Sequence, residues 1–257
     1  MMPPRDTRVE RGSPVTTITA RRRPVYQRRS GRAQYCRWVP QEDHVASARA
    51  VYDASADHYV EFVGTEISAA TEAPVDRALL VAFVDLVKAG TSRRVADVGC
   101  GTGRATAFLA KHDLDVVGLD VSPAMLDAAR IAHPEIRFEE GRLDDLPVED
   151  ASLAGVVCWY SIIYTPPERL GDVFTELSRV LNPGGHLLLG FQAGNGDPVH
   201  RTEAFGTAFS LTSFRHSPGD VCNRLEHAGL EVRATALREP EFTHEQTPQA
   251  FVIARNG

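Results

Sequence analysis

Apolar residues recur at three- and four-residue spacings over 44–64 and again over 74–89, so both stretches are read as amphipathic helices. Pro74 suits a first helical turn and Gly90 suits a helix end. Residues 94–99 form a short apolar run ending in glycine, the pattern of a buried strand. The sequence then predicts a helix at 104–112, a strand at 115–119, and a helix at 123–132 behind the cap-and-first-turn pair Ser122-Pro123. Strands follow at 136–140 and 153–160. A helix over 167–181 is closed by Asn182-Pro183-Gly184-Gly185, and a strand at 186–191 comes next. Residues 192–217 read as a long loop rich in Gly, His and Phe, of the kind that caps a site. A helix at 218–229 and strands at 231–238 and 249–255 end the chain.

Strands alternating with helices of this length imply βαβ units and a largely parallel sheet. The last two strands, joined by a short turn-rich link, imply an antiparallel pair at one edge. There is no internal repeat.

Composition adds little to that picture. The chain has 257 residues, 43% hydrophobic and 24% charged, as one globular domain does. No apolar run approaches the roughly 20 residues of a membrane helix, and the arginine-rich start does not look like a secretory leader. Cys36, Cys100, Cys158 and Cys222 are scattered without a C-x-x-C pair, so free thiols in a reducing, cytoplasmic setting are expected and no metal site is. The net charge of −6 hides an asymmetry, because residues 1–40 hold ten arginines against Asp6 and Glu10 alone. Residues 1–41 are read as a disordered tail and 42–257 as the folded domain. A basic arm could meet nucleic acid or acidic lipid; a loose tail is the plainer reading.

Chemistry concentrates in Asp97-Val98-Gly99-Cys100-Gly101-Thr102-Gly103, which follows a strand and opens a helix. Glycines there permit positive φ and a close backbone approach to a ligand. Asp120 ends the next strand, where a carboxylate can take both hydroxyls of a ribose. A dinucleotide loop would have glycine where this chain has Arg104, and it has no need of an acid at 97. An acid inside the turn suits a ligand with an ammonium group and no pyrophosphate.

These residues resemble the class I S-adenosylmethionine-dependent methyltransferases, in their UbiE-like, small-molecule branch. The likeness rests on the glycine loop 97–103, on GLDVSPAML (118–126), GRLDDLP (141–147), VLNPGGHLLL (180–189) and YDASADHY (52–59). It covers residues 45 to 257 and implies a Rossmann-like α/β fold, with a seven-stranded, mostly parallel sheet and a reversed C-terminal hairpin. It further implies S-adenosyl-L-methionine as cofactor. Gly99, Cys100 and Gly101 would lie under the methionine part, with Asp97 holding the loop and the amino group. Asp120 would bind the ribose, Val121 and Met125 would flank the adenine, and Leu143 would offer a backbone amide to it. Tyr52 and Tyr59 would cover the cofactor. Arg142 departs from the pattern, since many relatives carry an acid there for the adenine amino group; either Asp144 substitutes or the contact is lost.

Methyl transfer to a hydroxyl needs in-line placement and a proton acceptor. His200 is the first candidate base and His216 the second, with Tyr160 and Tyr164 shaping the pocket; His186 reads as structural. Phe205, Phe209 and Phe214 could wall an apolar acceptor. The implied activity is methylation of a small molecule, at a hydroxyl oxygen before nitrogen or carbon, with an unspecified oligomeric state and no membrane partner. Thr165-Pro166-Pro167-Glu168 lacks the aromatic residue and preceding acid or amide of DNA amino-methyltransferases, which argues against nucleic acid. The rival readings are a non-catalytic cofactor-binding protein and a protein or nucleic-acid methyltransferase using the basic arm.

Overall fold

The computed structural model describes residues 43–204 and 207–257, with the backbone alone at 203, 204 and 207–209. The arginine-rich segment 1–41 and Phe205 lie outside the described residues, as does the side chain of Phe209. The helices are α1 (His44–Val63), α2 (Pro74–Lys88), α3 (Arg104–Lys111), α4 (Pro123–Ala132), α5 (Leu170–Val180) and α6 (Pro218–His227). The strands are β1 (Arg94–Val98), β2 (Asp115–Asp120), β3 (Arg137–Glu140), β4 (Leu153–Trp159) and β5 (Leu181–Gln192), then β6 (Asp197–Ala204), β7 (Thr207–Arg215), β8 (Leu230–Arg238) and β9 (Gln249–Asn256).

Local chemistry sets the helix starts. Asp43 accepts from the amides of Val45 and Ala46 at 3.2 and 3.3 Å and so caps α1. Ser122 accepts from Met125 N at 3.2 Å ahead of Pro123, and Ser217 accepts from Asp220 N at 3.3 Å ahead of Pro218. A proline in the first turn removes an amide that would have no helical partner anyway.

Seven strands form one sheet in the order β3-β2-β1-β4-β5-β9-β8. The first five run parallel, and β9 runs antiparallel to both β5 and β8. Because strands point alternately to the two faces, Leu187, Leu189 and Phe191 of β5 enter one core with Phe174 and Leu177 of α5, while Leu188 joins Phe83 and Val87 of α2 on the other. The chain leaves β1 toward β2 on one side and later places β4 on the other. That reversal opens a crevice at the carboxyl ends of β1 and β4, where open α/β sheets bind ligands.

Three expectations are revised. Residues 192–217 are not an open loop: β6 and β7 pair antiparallel, from Asp197↔Arg215 to Ala204↔Thr207. Leu211 of β7 is buried against Ala48 and Val51 of α1, which gives the hairpin an apolar seam and lets it hold strand geometry. The two prolines at 166 and 167 open a short 3-10 turn, Pro167–Arg169, so α5 begins only at Leu170. β5 begins at Leu181 and takes in Asn182–Gly185, its register moving from Leu153↔Leu181 to Gly155↔His186. Among the described residues no helix is long and apolar enough to cross a membrane.

Candidate active site

The glycine turn after β1 is built by positive φ at Gly99 (76°), Gly101 (52°) and Gly103 (80°). Close packing fixes two of these positions as firmly as φ does. A Cβ on Gly99 would lie 2.2 Å from the Ser161 Cβ, and one on Gly103 would lie 2.9 Å from the Phe138 ring. The amides of Gly99 and Cys100 donate to Leu119 O at 2.7 and 3.0 Å, fastening the turn to β2.

Two carboxylates flank the turn. Asp97 is 1% exposed; its Oδ2 accepts from Thr106 Oγ1 at 2.7 Å, and its Oδ1 has no partner. Burial pushes its carboxyl up to about 7. Asp120, at the end of β2, accepts from Gly101 N at 2.8 Å through Oδ2 and from Ser122 N at 2.9 Å through Oδ1. Burial raises its carboxyl too, against the lowering effect of those amides. A carboxylate has about four lone-pair directions, so each Asp120 oxygen keeps room for one more donor.

Two adjoining cavities open over this turn. The smaller, about 110 Å³, is a slot under α1 walled by Val45, Ala48, Val121, Met125, Leu143 and Asp144. The larger, about 830 Å³, shares Tyr52, Tyr59, Gly99, Gly101, Tyr160 and Tyr164 with it. Helix α1 roofs the slot and is fastened down by polar contacts. Asp53 accepts from Ser122 Oγ at 2.6 Å, Arg49 pairs with Glu140 at 2.7 Å, and the hydroxyls of Tyr52 and Tyr164 bond to each other.

Five buried side-chain polar atoms among the described residues lack a hydrogen-bond partner, and four of them ring these cavities: Asp97 Oδ1, Arg104 Nε, Trp159 Nε1 and Ser161 Oγ. Leaving such a group unpaired costs about 1–3 kcal/mol, so four around one space mark a place shaped for a polar ligand. Arg104 is otherwise paired to the buried Glu72. Tyr160, directly after β4, holds φ at +60°, a conformation that non-glycine residues adopt at a cost and that clusters at functional sites.

The structure gathers most of the residues singled out from the sequence and separates others. Tyr52, Tyr59, Asp97, Gly99, Cys100, Gly101, Asp120, Val121, Met125, Leu143, Tyr160 and Tyr164 all line one or both cavities. Arg142 does not. It turns onto Asp144, gripping that carboxylate at 3.0 and 3.1 Å, and Asp144 is the residue that faces the slot. The Arg142–Asp144 grip holds the Asp144 carboxyl below its usual range. His200 is also set apart. It is exposed on β6, its ring nitrogens near Thr212 Oγ1 at 3.0 Å and Ser210 Oγ at 3.4 Å, and it lines neither cavity. Successive strand residues face opposite ways, so its neighbour Arg201 lines the larger cavity instead. His216 is 1% exposed, its Nε2 on Ile162 O at 3.1 Å and its ring stacked on Phe214; it is a packing residue, and burial lowers its basicity. Phe214 is occupied in that stack rather than in a cavity wall.

Sequence reasoning missed Trp159, Ser161, Glu72 and the link 239–248, which brings His244 and Glu245 to the larger cavity. Trp159, the last residue of β4, and Ser161 just beyond it carried a usable signal in their position at the carboxyl end of a central strand. The others depend on long-range packing.

Comparison with known proteins agrees with this geometry. Residues 95–185 match a methyltransferase domain family. An uncharacterized methyltransferase of Mycobacterium tuberculosis is 30% identical over 169 residues, covering 66% of this chain and 65% of that protein's length. The malonyl-[acyl-carrier protein] O-methyltransferase of Erwinia billingiae is 30% identical over 149 residues, 57% of each chain. The magnesium protoporphyrin IX methyltransferase of Synechocystis PCC 6803 shares the fold, with a TM-score of 0.63, 18% identity, and coverage of 86% of this chain and 100% of that one. The glycine turn after β1, the acid ending β2, the reversed β9 and the family match together identify residues 95–185 as a class I S-adenosylmethionine-dependent methyltransferase domain, and the chain spans just under two thirds of the length of the curated relatives it matches.

Proposed function

We propose that this protein binds S-adenosylmethionine across the two cavities and directs its methyl group to a hydroxyl oxygen of a small-molecule acceptor. The observation that carries the reading is the set of unpaired buried atoms around the glycine turn. Asp97 Oδ1 is an acceptor without a donor, which suits an ammonium group. Ser161 Oγ, Trp159 Nε1 and Arg104 Nε are donors without acceptors, which suits a carboxylate. An amino-acid terminus brings both. The spare lone pairs of Asp120 suit a ribose diol, and the apolar slot of Val121, Met125 and Leu143 suits an adenine. A dinucleotide would fit poorly, because its pyrophosphate would meet the Asp97 carboxylate.

When bound, S-adenosylmethionine supplies a methyl group already activated on a sulfonium, so no electrophile need be made by the protein. What this chain adds is position and shelter. α1 roofs the cofactor slot, and the bonded Tyr52–Tyr164 pair stands between the slot and the larger cavity. Tyr59, Trp159 and Tyr160 line the larger cavity, where an acceptor would sit. Holding an acceptor in line at about 3–3.5 Å is worth several kcal/mol of the barrier. The O-methyltransferase among the similar proteins supports oxygen as the acceptor atom.

The test is incubation with methyl-labelled S-adenosylmethionine and a panel of hydroxylated small molecules, followed by mass spectrometry. Label on an acceptor oxygen is expected. Label only on protein or nucleic acid would overturn the small-molecule reading.

A further inference from the structure

The larger cavity is lined by charges of both signs, and most of them are matched inside the protein. Arg104 is paired to Glu72, Glu245 to Arg238 at 2.6 Å, and Asp97 accepts from Thr106 Oγ1 at 2.7 Å. Arg201 is different: its guanidinium makes no ion pair or hydrogen bond among the described residues. Strand register explains why it stands there. Arg201 lies directly opposite Leu211 in the β6–β7 pair, and residues opposite one another in an antiparallel pair project from the same face. Leu211 is buried with Ala48 and Val51 of α1, and Tyr164 packs against that cluster. The same hairpin face therefore brings Arg201 to Tyr164. Burial raises the Tyr164 hydroxyl, while its bond to Tyr52 and the charge of Arg201 oppose that rise.

Measured contacts tie this corner to the glycine turn. A Cβ on Gly101 would lie 4.0 Å from the Tyr59 ring. Tyr59 meets Tyr52 edge-on with centroids 5.5 Å apart, and Tyr52 meets Tyr164 edge-on at 5.6 Å. The base of the hairpin is fixed as well. Gly194 N donates to His216 O at 2.9 Å, and His216 Nε2 meets Ile162 O at 3.1 Å in the short turn Ile162–Tyr164. Two bonded hydroxyls carry two protons and use one between them. Whichever of Tyr52 and Tyr164 donates, one O–H of the pair is left without an acceptor among the described residues. A guanidinium and a hydroxyl at one cavity, each with donors unspent, suit an anion.

We propose that Arg201, with the spare hydroxyl proton of the Tyr52–Tyr164 pair, binds a carboxylate on the methyl acceptor, so that the acceptor is a hydroxy acid rather than a neutral alcohol or phenol. The inference rests on the methyl-transfer reading above and deepens it by naming the acceptor's second group. The planar fork of an arginine matches the two oxygens of a carboxylate. Charge separates carboxylate from phosphate. One guanidinium balances a monoanion, whereas a phosphomonoester carries about −1.5 to −2 at neutral pH and would leave charge unmatched beside Glu61, which lines the same cavity. Arg201 is exposed, so an anion can reach it from solvent, and water keeps the worth of the contact modest.

The experiment uses the full chain saturated with S-adenosylhomocysteine and follows binding by ligand-observed NMR. The probes are 3- and 4-hydroxybenzoate, with the matching hydroxybenzamides as neutral counterparts. At least one acid is expected to bind saturably and about tenfold more tightly than its amide at low salt, as a charge-assisted bond at an open site gives. Arg201→Gln should bring acid and amide within about twofold of each other, by weakening the acid and leaving the amide unchanged. Tyr164→Phe should weaken the acid by a smaller factor. Arg233→Gln removes an exposed arginine of β8 that lines neither cavity, and it should keep the full preference for the acid. An amide that binds as well as its acid, a preference that survives Arg201→Gln, its loss in Arg233→Gln, or no saturable binding of either acid would each overturn the proposal. Failure of S-adenosylhomocysteine itself to bind would overturn the methyl-transfer reading and the proposal with it, whereas failure confined to the acids leaves that reading standing.

Discussion

Replacing Asp120 by alanine removes one carboxylate with two separable jobs. In the structure each of its oxygens already accepts one backbone amide, Gly101 N at 2.8 Å and Ser122 N at 2.9 Å. Asp120 also lines the cofactor slot, and a carboxylate has about four lone-pair directions for donors. If the unused directions take the two ribose hydroxyls, Asp120→Ala loses two charge-assisted hydrogen bonds worth about 1.5–3 kcal/mol each. The expected fall in affinity for S-adenosylhomocysteine is then a few hundredfold at least. Loosening of the glycine turn could lower affinity as well, and a second ligand separates the two effects. Calorimetry is run on wild type and variant with S-adenosylhomocysteine and with its 2′-deoxyribose analogue. Removing the hydroxyl should weaken binding to the wild type strongly and to Asp120→Ala hardly at all, because the contact is already gone. Equal penalties for the deoxy analogue in both proteins would refute the ribose assignment and leave Asp120 as a loop anchor.

Four further outcomes follow from particular contacts. Gly99→Ala meets both a left-handed φ and the Ser161 Cβ at 2.2 Å, so urea titration should show a loss of about 2–4 kcal/mol, partly recovered in Gly99→Ala/Ser161→Gly. Asp97 is raised by burial to about 7, and a nearby ammonium favours its ionised form. Binding of S-adenosylhomocysteine between about pH 5 and 7 should therefore release a proton, seen as buffer-dependent heats that vanish in Asp97→Asn. Because that folded-state value lies above the unfolded one, Asp97 favours the fold at low pH and this contribution fades as pH rises toward 7, so thermal melts of Asp97→Asn should gain most on wild type at alkaline pH. Glu245 behaves oppositely: burial raises its carboxyl, but the Arg238 fork and two amides outweigh that and hold it at about 2. Its stabilising contribution is present above the ordinary carboxylate range and is lost as pH falls through about 4.5 toward 2, and acid titration of Glu245→Gln should lack that limb.

What was legible in the chain was whatever local chemistry decides. Ser122-Pro123 and Ser217-Pro218 mark helix starts because a hydroxyl and a ring act within one turn. The DVGCGTG loop is readable because only glycine tolerates three positive φ values so close together. The β6–β7 hairpin was misread because Leu211 finds its apolar partners in α1, far away along the chain. The same gap explains His200. Its chemistry suits a base, but a strand's two faces are told apart only by register, and register here puts Arg201 at the cavity. His244 carries no motif at all; the Asp76–Arg238–Glu245 bridge that places it joins residues up to 169 positions apart. Trp159 and Ser161 stand out only once their unpaired atoms are seen together.

The most direct trial is calorimetric titration of the purified protein with S-adenosylhomocysteine, with NADH as the control ligand. Saturable one-to-one binding of the first and none of the second is expected from an ammonium-seeking Asp97 and a diol-seeking Asp120 on one glycine turn. Binding of NADH, or of neither ligand, would contradict the assignment of these cavities to S-adenosylmethionine.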